Sequence, residues 1–409
     1  MHMEQSRPLH ILYLCQYFPP EMGAPAARAF EYSRRWVEAG HRVTVICGIP
    51  NHPTGTVYEG YRVRWRTVER VEGIDVHRMW VYVTPNAGML RRSINYLSFG
   101  ITAVLGALRL RDVDVCIASS PQFFVGLAGV LLRTLRRLPL MLEIRDLWPD
   151  SIRAVEAARE GMLLLRVLRR VERFMYRRAD RICVVSPAFR DHIEACGVDP
   201  ARIVTIPNGV STRLFEAARS ERRALLARFE GRFIVAYIGT HGMAHALETA
   251  IDAARLLRGE SDIHLLFVGE GARKEALRRC AQDLNNVTFL DRMPRESVAQ
   301  LLREIDVALV LLRDTPLFRT VIPSKMFEIM GSAHPIILGV EGEARRILEE
   351  AEAGIAIPPE NAEALAAAIL RLRDDGELRE GFGRNAYRFV RENYDLDLLA
   401  RTYLEQLRF

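Results

Sequence analysis

Short, continuously apolar runs alternate with helical stretches along this chain, and that alternation restricts it to an α/β fold. The first run, Leu9-His10-Ile11-Leu12-Tyr13-Leu14-Cys15, is too short for a helix. Pro19, Pro20, Gly23 and Pro25 break it. A helical pattern from Ala26 to Ala39 then stops at Gly40, and Arg42 to Cys47 (R-V-T-V-I-C) reads as the next strand. Strand, loop, helix and strand in this order make a βαβ unit. Strands that are apolar throughout, rather than alternating, belong to a parallel sheet covered on both faces.

The spacing predicts further strands at Ile74–Val83, Val113–Ala118, Leu140–Ile144, Arg181–Val185 and Ile203–Ile206. A turn signal, Pro207-Asn208-Gly209-Val210, and a charged, helix-like stretch from Arg213 to Phe229 follow. A second series of strands is predicted at Phe233–Ile238, Ile263–Val268, Val287–Leu290, Val307–Leu312, Pro335–Leu338 and Gly354–Ile357, with helices near 245–258, 271–283, 295–304, 324–332, 343–351 and 361–374. The chain is therefore read as two α/β domains of similar size, 1–210 and 211–385, with C-terminal helices over 386–409 packing back on the first. Open parallel sheets bind ligands at the carboxyl ends of their strands, here expected in a cleft between the domains.

The length of 409 residues suits two or three domains, and 49% hydrophobic with 26% charged residues excludes wholesale disorder. Fifty-seven Lys and Arg against 51 Asp and Glu give a net charge of +6, too mild an excess to mark a nucleic-acid binder. Residues 1–200 carry 28 basic and 20 acidic side chains and the remainder 29 and 31, which points to an anionic surface or substrate on the first half. Only Lys274 and Lys325 are lysines, against 55 arginines, so each lysine stands against a strong compositional bias. The six cysteines form no C-x-x-C pair and read as buried hydrophobes in a reducing compartment. No basic-then-apolar leader precedes Leu9, and the longest near-apolar stretch, Ile94 to Leu108, falls short of the ~20 residues that span a bilayer. The protein is read as cytoplasmic, or peripheral on the inner face of the membrane.

Several segments carry candidate chemistry. The loop Phe18-Pro19-Pro20-Glu21-Met22-Gly23-Ala24-Pro25 serves equally as a plain turn or as an anion site at a strand–helix junction. Tyr237-Ile238-Gly239-Thr240-His241-Gly242-Met243-Ala244-His245 occupies the equivalent junction of the second series, where amides, a hydroxyl and imidazoles can converge on a diphosphate. Gly269-Glu270-Gly271 closes another strand and reads as a turn that a ligand can approach. In Pro323-Ser324-Lys325-Met326-Phe327-Glu328, Lys325 and Glu328 share a helix face. A lysine near a helix start opposes the dipole unless an anion is bound, although a surface ion pair explains the spacing as well. Arg145-Asp146-Leu147-Trp148-Pro149-Asp150 follows a strand, with Asp146 suited to an acceptor hydroxyl and Asp150 to that role or to capping a helix. Asp112-Val113-Asp114 precedes a strand, the wrong end for a metal–nucleotide site, and no metal site is expected. Residues 151–178, with eight arginines against three acids, read as a basic amphipathic helix that suits either an anionic membrane or its own sheet.

In order and spacing, these landmarks resemble the retaining glycosyltransferases of family 4, which have the GT-B fold, over nearly the whole chain. The matching residues are Tyr17-Phe-Pro-Pro-Glu-Met-Gly23, Arg145-Asp-Leu-Trp-Pro-Asp150, Pro207-Asn-Gly-Val210, Gly239-Thr-His-Gly242, Gly269-Glu-Gly271 and Pro323-Ser-Lys-Met-Phe-Glu328. Within that family the chain looks like the bacterial amino-sugar transferases of O-antigen and capsule assembly, such as L-fucosamine transferases. The resemblance implies two Rossmann-like domains whose parallel sheets face across a cleft. It implies a UDP-linked sugar donor held mainly by the second domain, no cofactor, and no required metal. Glu328 falls where the family grips the ribose hydroxyls, and Thr320 falls where the family often has another glutamate. The family's arginine and lysine in the first phosphate loop are replaced by Thr240, His241 and His245, so Lys325, with Arg319, is expected to supply the positive charge. Gly23, Ser324 and the Leu290-Asp291-Arg292-Met293 segment are expected at the donor, and Arg145, Asp146 and Trp148 at the acceptor.

The implied reaction is sugar transfer with retention, to a saccharide or polyprenyl-diphosphate-linked acceptor at the membrane face. A GT-B nucleotide-sugar 2-epimerase and a nonenzymatic nucleotide-sugar or membrane-binding protein are the alternatives. The dinucleotide fingerprint of an oxidoreductase is missing.

Overall fold

The computed structural model describes residues 7–52, 54–85, 89–120, 123–147, 162–213, 215, 225–316 and 318–409. Two compact units make up the chain: residues up to Asn208 together with Leu399–Phe409, and Gly209–Leu398.

The first unit runs β1 (His10–Leu14), α1 (Ala24–Glu38), β2 (Arg42–Gly48), β3 (Arg66–Val71), β4 (Ile74–Met79), α2 (Met89–Ala107), β5 (Val115–Ser119), α3 (Phe123–Arg136), β6 (Leu140–Ile144), α4 (Met162–Arg178), β7 (Arg181–Val184), α5 (Pro187–Ala195) and β8 (Ile203–Thr205). The strands lie in the order β3-β4-β2-β1-β5-β6-β7-β8. All neighbours are parallel except β3 and β4, which form an antiparallel hairpin. The central strands β1, β5 and β6 are buried at every residue, which is why their sequences are mainly apolar without alternation, with Glu143 of β6 as the charged exception. Strand β3 escaped the sequence reading because R-T-V-E-R-V alternates and lies half-exposed at the edge. The order reverses at β1, so the loops after β1 and β5 border the crevice where such sheets bind ligands.

The Asp112-Val113-Asp114 segment lies at the opposite, amino edge. Asp114 accepts the His10 N–H at 2.7 Å, and the Asp112 carbonyl lies 2.9 Å from His10 Nδ1. These contacts fix the start of β1.

The second unit contains β9 (Phe233–Ile238), α6 (Glu248–Leu256), β10 (Ile263–Val268), α7 (Lys274–Cys280), β11 (Val287–Leu290), α8 (Arg295–Leu301), β12 (Val307–Leu311), α9 (Lys325–Gly331), β13 (Ile336–Gly339), α10 (Glu343–Glu350), β14 (Gly354–Ala356), α11 (Ala362–Asp374) and α12 (Gly376–Asn393). Its six strands are parallel, in the order β11-β10-β9-β12-β13-β14. Successive residues feed two separate cores: Ala236, Leu266 and Val310 fill one, and Val235, Leu265 and Leu309 fill the other. The crevice here lies between β9 and β12.

The C-terminal helices differ from expectation. Instead of leaving together from residue 386, α12 stays with the second unit, where Ala386 and Val390 belong to the core. Of α13 (Leu396–Gln406), the residues from Leu399 onward belong to the first unit. Tyr403 packs edge-on against Tyr32 and Trp36, with ring centres 5.4 and 5.3 Å away, and Trp36 Nε1 donates to the Ala400 carbonyl at 3.0 Å. The helix-like stretch 213–229 lies largely outside the described residues, and its described end is a single 3-10 turn, Ala227–Phe229. Among the described residues, no helix is long and apolar enough to cross a membrane.

Candidate functional site

In the second unit, the loops after β9 and β10 are joined backbone to backbone. Gly239 N–H donates to the Val268 carbonyl at 2.9 Å, His241 N–H to the Glu270 carbonyl at 2.9 Å, and Arg273 N–H to the His241 carbonyl at 2.9 Å. The approach is close enough to require glycine. A Cβ on Gly269 would run into the Gly239 carbonyl, and both residues hold φ near +145°. The Gly239 and His241 amides are therefore committed to the neighbouring loop, and of the amides, hydroxyl and imidazoles expected to converge on a diphosphate these two N–H groups are not available. The loop also opens a 3-10 turn, Met243–His245, with α6 starting only at Glu248.

Lys325 stands at the start of α9, with its ammonium shut off from solvent. Nζ lies 3.8 Å from the centre of the Tyr237 ring and has no hydrogen-bond partner among the described residues. It would sit 2.7 Å from a Cβ on Gly239, so the missing side chain there makes room for the lysine. Burial pulls its pKa down from 10.5 to about 7, against the opposing charge of Glu328. Glu328 lines the same small cavity, together with Ile238, Val298, Leu302 and Ile329.

Two imidazoles complete the cluster. His241 is fully buried, and both its ring nitrogens lack a partner among the described residues; His245 Nδ1 is in the same position. Burial first, then the charges of Lys274 for His241 and of Lys325 for His245, lower both rings to about 4. Near pH 7 both are neutral, and each offers one N–H donor. The Tyr237 hydroxyl donates to the Thr240 carbonyl at 2.9 Å and holds the loop above the lysine. His241 and His245 on the loop after β9, and Lys325 at the start of α9, thus present buried donors in one cluster, with Lys325 as the cation among them. That is the donor set a diphosphate requires.

Other expected residues fall around this cluster or away from it. Gly242 and an exposed Thr240 belong to the same loop, and Ser324 precedes α9 without a side-chain capping bond. Thr320 ends a 3-10 turn, Phe318–Thr320, ahead of α9. Arg319 is engaged elsewhere: its exposed guanidinium pairs with Asp314 at 3.0 Å, which leaves the positive charge to Lys325. Arg292 lies exposed just beyond β11. The sequence reading gave Lys274 no role, yet it clamps two of the loops. Its buried side chain bonds Glu270 at 2.5 Å and Asp291 at 2.7 Å, joining the Gly269–Gly271 turn to the Asp291–Arg292 segment. The scarcity of lysine was the signal that could have found it.

In the first unit, the expected residues lie at the carboxyl ends of the strands. Gly23 caps α1, where Ala27 N–H donates to its carbonyl at 3.0 Å. Glu21, two residues earlier, is buried, and one carboxylate oxygen accepts from the Asn51 and His52 amides at 2.9 Å each. Burial, only partly opposed by those amides, raises its pKa to about 7. Arg145 and Asp146 follow β6, and Arg145 N–H donates to Ser120 Oγ after β5 at 2.8 Å. Trp148 and Asp150 lie outside the described residues, as does the part of the basic helix before Met162.

Beneath Asp146 a buried ion pair supports the strand ends. Glu143 accepts from Arg28 Nε at 2.9 Å, Tyr13 at 2.8 Å and Ser119 at 2.6 Å. Arg28 also donates to the Ile206 and Pro207 carbonyls at 2.9 and 2.8 Å, which gives the Pro207-Asn208-Gly209 turn its anchor. Burial alone would raise the Glu143 pKa, but Arg28, Arg145 and the Ser119 hydroxyl outweigh it and hold the carboxyl at about 2.

Comparison with known proteins agrees with this layout. Residues 23–209 match the family described as Glycosyl transferase 4-like domain, and residues 218–389 match Glycosyl transferases group 1. The chain is 25% identical over 267 residues to the probable glycosyltransferase WbjE of Pseudomonas aeruginosa, covering 64% of this chain and 66% of that one. It is 27% identical over 246 residues to the alpha-D-kanosaminyltransferase of Streptomyces kanamyceticus, covering 57% and 62%. The chain thus spans somewhat less than two thirds of the length of these curated relatives. The fold is similar to that of Anabaena HepE, solved in complex with UDP-glucose, with a TM-score of 0.70, 16% identity, and 98% and 99% coverage. Two parallel-sheet units, each matched by a glycosyltransferase family in this order, place the chain among the GT4-type glycosyltransferases of GT-B fold.

Proposed function

We propose that the protein transfers a sugar, of the N-acetylated amino-sugar class, from a UDP-sugar to a lipid-linked or saccharide acceptor in cell-surface polysaccharide synthesis, with retention of configuration. The observation that carries this reading is Lys325, a buried and unpartnered ammonium beside two unpartnered imidazoles. A diphosphate would supply the acceptors that these donors lack. The UDP-glucose bound by Anabaena HepE and the amino sugar in the name of the Streptomyces relative support the choice of donor.

Negative charge grows on the β-phosphate as the glycosidic bond breaks. Lys325 would stabilise that charge in a site where little water competes. Glu328, one helical turn on, would hold the ribose hydroxyls, and Thr320 falls where the resemblance implies a second glutamate. Asp146 would orient the acceptor hydroxyl, and the departing phosphate oxygen would take its proton on the same face, giving retention.

The test incubates the protein with a panel of UDP-sugars and a soluble acceptor, follows UDP release, and reads the product anomer by proton NMR. Turnover of a UDP-amino sugar to a product with the donor's own anomeric configuration is expected. An inverted product, or a free epimerised nucleotide sugar made without acceptor, would overturn the reading.

A further inference from the structure

Helix α2 is apolar on both sides, yet only one side is covered. Phe99, Ala103 and Ala107 point into the core. Leu90, Ile94, Leu97, Ile101, Leu105 and Leu108 recur at steps of three and four along the helix and the residue after it, so they share one face, and each is between 39% and 74% exposed. A helix apolar all round is normally buried. Of twenty exposed large apolar side chains among the described residues, sixteen lie in the first unit and only four in the second. The stripe is therefore not the general habit of this chain.

Its surroundings say what covers it. Helix α3 packs against both α2 and α4, and α2 meets α3 closely at Gly100, where a Cβ would lie 3.1 Å from Phe124. Leu131 and Leu135 on α3, and Val167 and Phe174 on α4, are also exposed. Residues 89–111 and 123–137 contain seven arginines and no acidic residue. Helix α4 adds six arginines against Glu172, which is buried and accepts from the Tyr176 hydroxyl at 2.8 Å. A second copy of this face would bring arginine against arginine. An anionic bilayer supplies both an apolar interior for the stripe and phosphates for its rim.

We propose that α2, flanked by α3 and α4, is a membrane-docking face that lays its stripe into the headgroup–acyl boundary of an anionic bilayer. The proposal deepens the lipid-linked-acceptor reading and rests on it for the purpose of the surface, though not for its chemistry. The sequence reading placed membrane attraction on the basic excess of the first half and on the basic helix. Here α4 and the other arginines supply long-range attraction, while the apolar hold comes from α2.

The test is co-sedimentation of the full chain with vesicles of phosphatidylcholine containing about 30 mol% phosphatidylglycerol, at low and high salt. The protein is expected to pellet with these vesicles at low salt, to leave them as salt screens the arginines, and to ignore pure phosphatidylcholine. A Leu97→Glu/Ile101→Glu variant should lose at least tenfold in partitioning while keeping its melting temperature. Leu256→Glu, at an equally exposed site in the second unit, should not. Because the double variant can fail to fold, Ile101→Trp gives a second reading, with its added emission shifting to the blue on anionic vesicles. Wild-type protein that stays in the supernatant, a folded double variant that binds normally, or an unshifted emission from the Ile101→Trp variant would each overturn the proposal. So would a dimer in size-exclusion chromatography that the double variant breaks while vesicle binding is absent. Turnover of UDP-sugar with a soluble acceptor is measured separately. Its loss with vesicle binding intact sinks the donor reading alone, and the reverse result sinks the docking face alone.

Discussion

The ammonium of Lys325 lies over the Tyr237 ring at 3.8 Å and beside Gly239, in a place where no protein carboxylate hydrogen-bonds it among the described residues. Its pKa of about 7, against an ordinary 10.5, has a consequence for stability. Between those two pH values the unfolded chain holds more protons than the folded one. Stability of the unliganded protein should therefore rise as pH climbs from about 7 to about 10, with the penalty fully present below pH 7. Lys325→Met should flatten that rise in melting curves recorded against pH.

The same lysine should take up a proton when a diphosphate binds, because an adjacent anion restores its pKa. Calorimetric titration of a UDP-sugar at pH 8, in buffers of different ionisation enthalpy, should show uptake approaching one proton per site. Lys325→Met should abolish the uptake and lower kcat by about a hundredfold or more, the usual scale for losing one such charge. A variant with normal uptake would place the titrating group elsewhere.

Gly269→Ala forces a Cβ into the Gly239 carbonyl, and neither backbone segment can yield without breaking the hydrogen bonds that join the loops. A loss of about 2–4 kcal/mol in unfolding free energy is expected, together with lost UDP binding. Gly242→Ala is the control, since nothing lies closer than 3.5 Å to its added methyl. Denaturant titration of the two variants separates these outcomes.

The Glu143 carboxyl, held at about 2, contributes stability that is present above its ordinary 4.5 and is lost as pH falls through 4.5 toward 2. Arg28→Met leaves that carboxylate buried without its main partner and should cost roughly 3–5 kcal/mol near neutral pH. Lowering the pH should narrow the difference between variant and wild type. A variant as stable as the wild type at pH 7 would remove the ion pair from any structural role.

Glu21 runs in the opposite direction. Its pKa of about 7 means that the folded chain holds the extra proton between 4.5 and 7, so stability falls as pH rises through that window. Glu21→Gln keeps an acceptor for the Asn51 and His52 amides without the buried charge. It should stabilise the protein at pH 8, by at most about 3 kcal/mol, and leave it unchanged at pH 4. Thermal melts at both pH values check the sign.

The parts of the fold legible in the sequence were those where one physical demand acts alone. Strands such as Ile11–Leu14 and Leu265–Val268, covered on both faces, can only be apolar, and their runs mark them. Strand β3 answers to two environments at once and left a weaker mark. Lys325 was legible because lysine is so rare here, and Lys274 was open to the same inference. Sequence position could not show that Asp314, five residues earlier, pairs with the Arg319 guanidinium. Nor could periodicity reveal that one side of α2 lies uncovered, since an exposed leucine and a buried one are written with the same letter.

The first unit recruits Tyr403 and the Ala400 carbonyl to finish the packing around Trp36, although residues 209–398 intervene. During synthesis that aromatic cluster must therefore wait. The N-terminal sheet leaves the ribosome early, but with the side of Trp36 that Tyr403 will cover still bare, while an entire second unit emerges and folds.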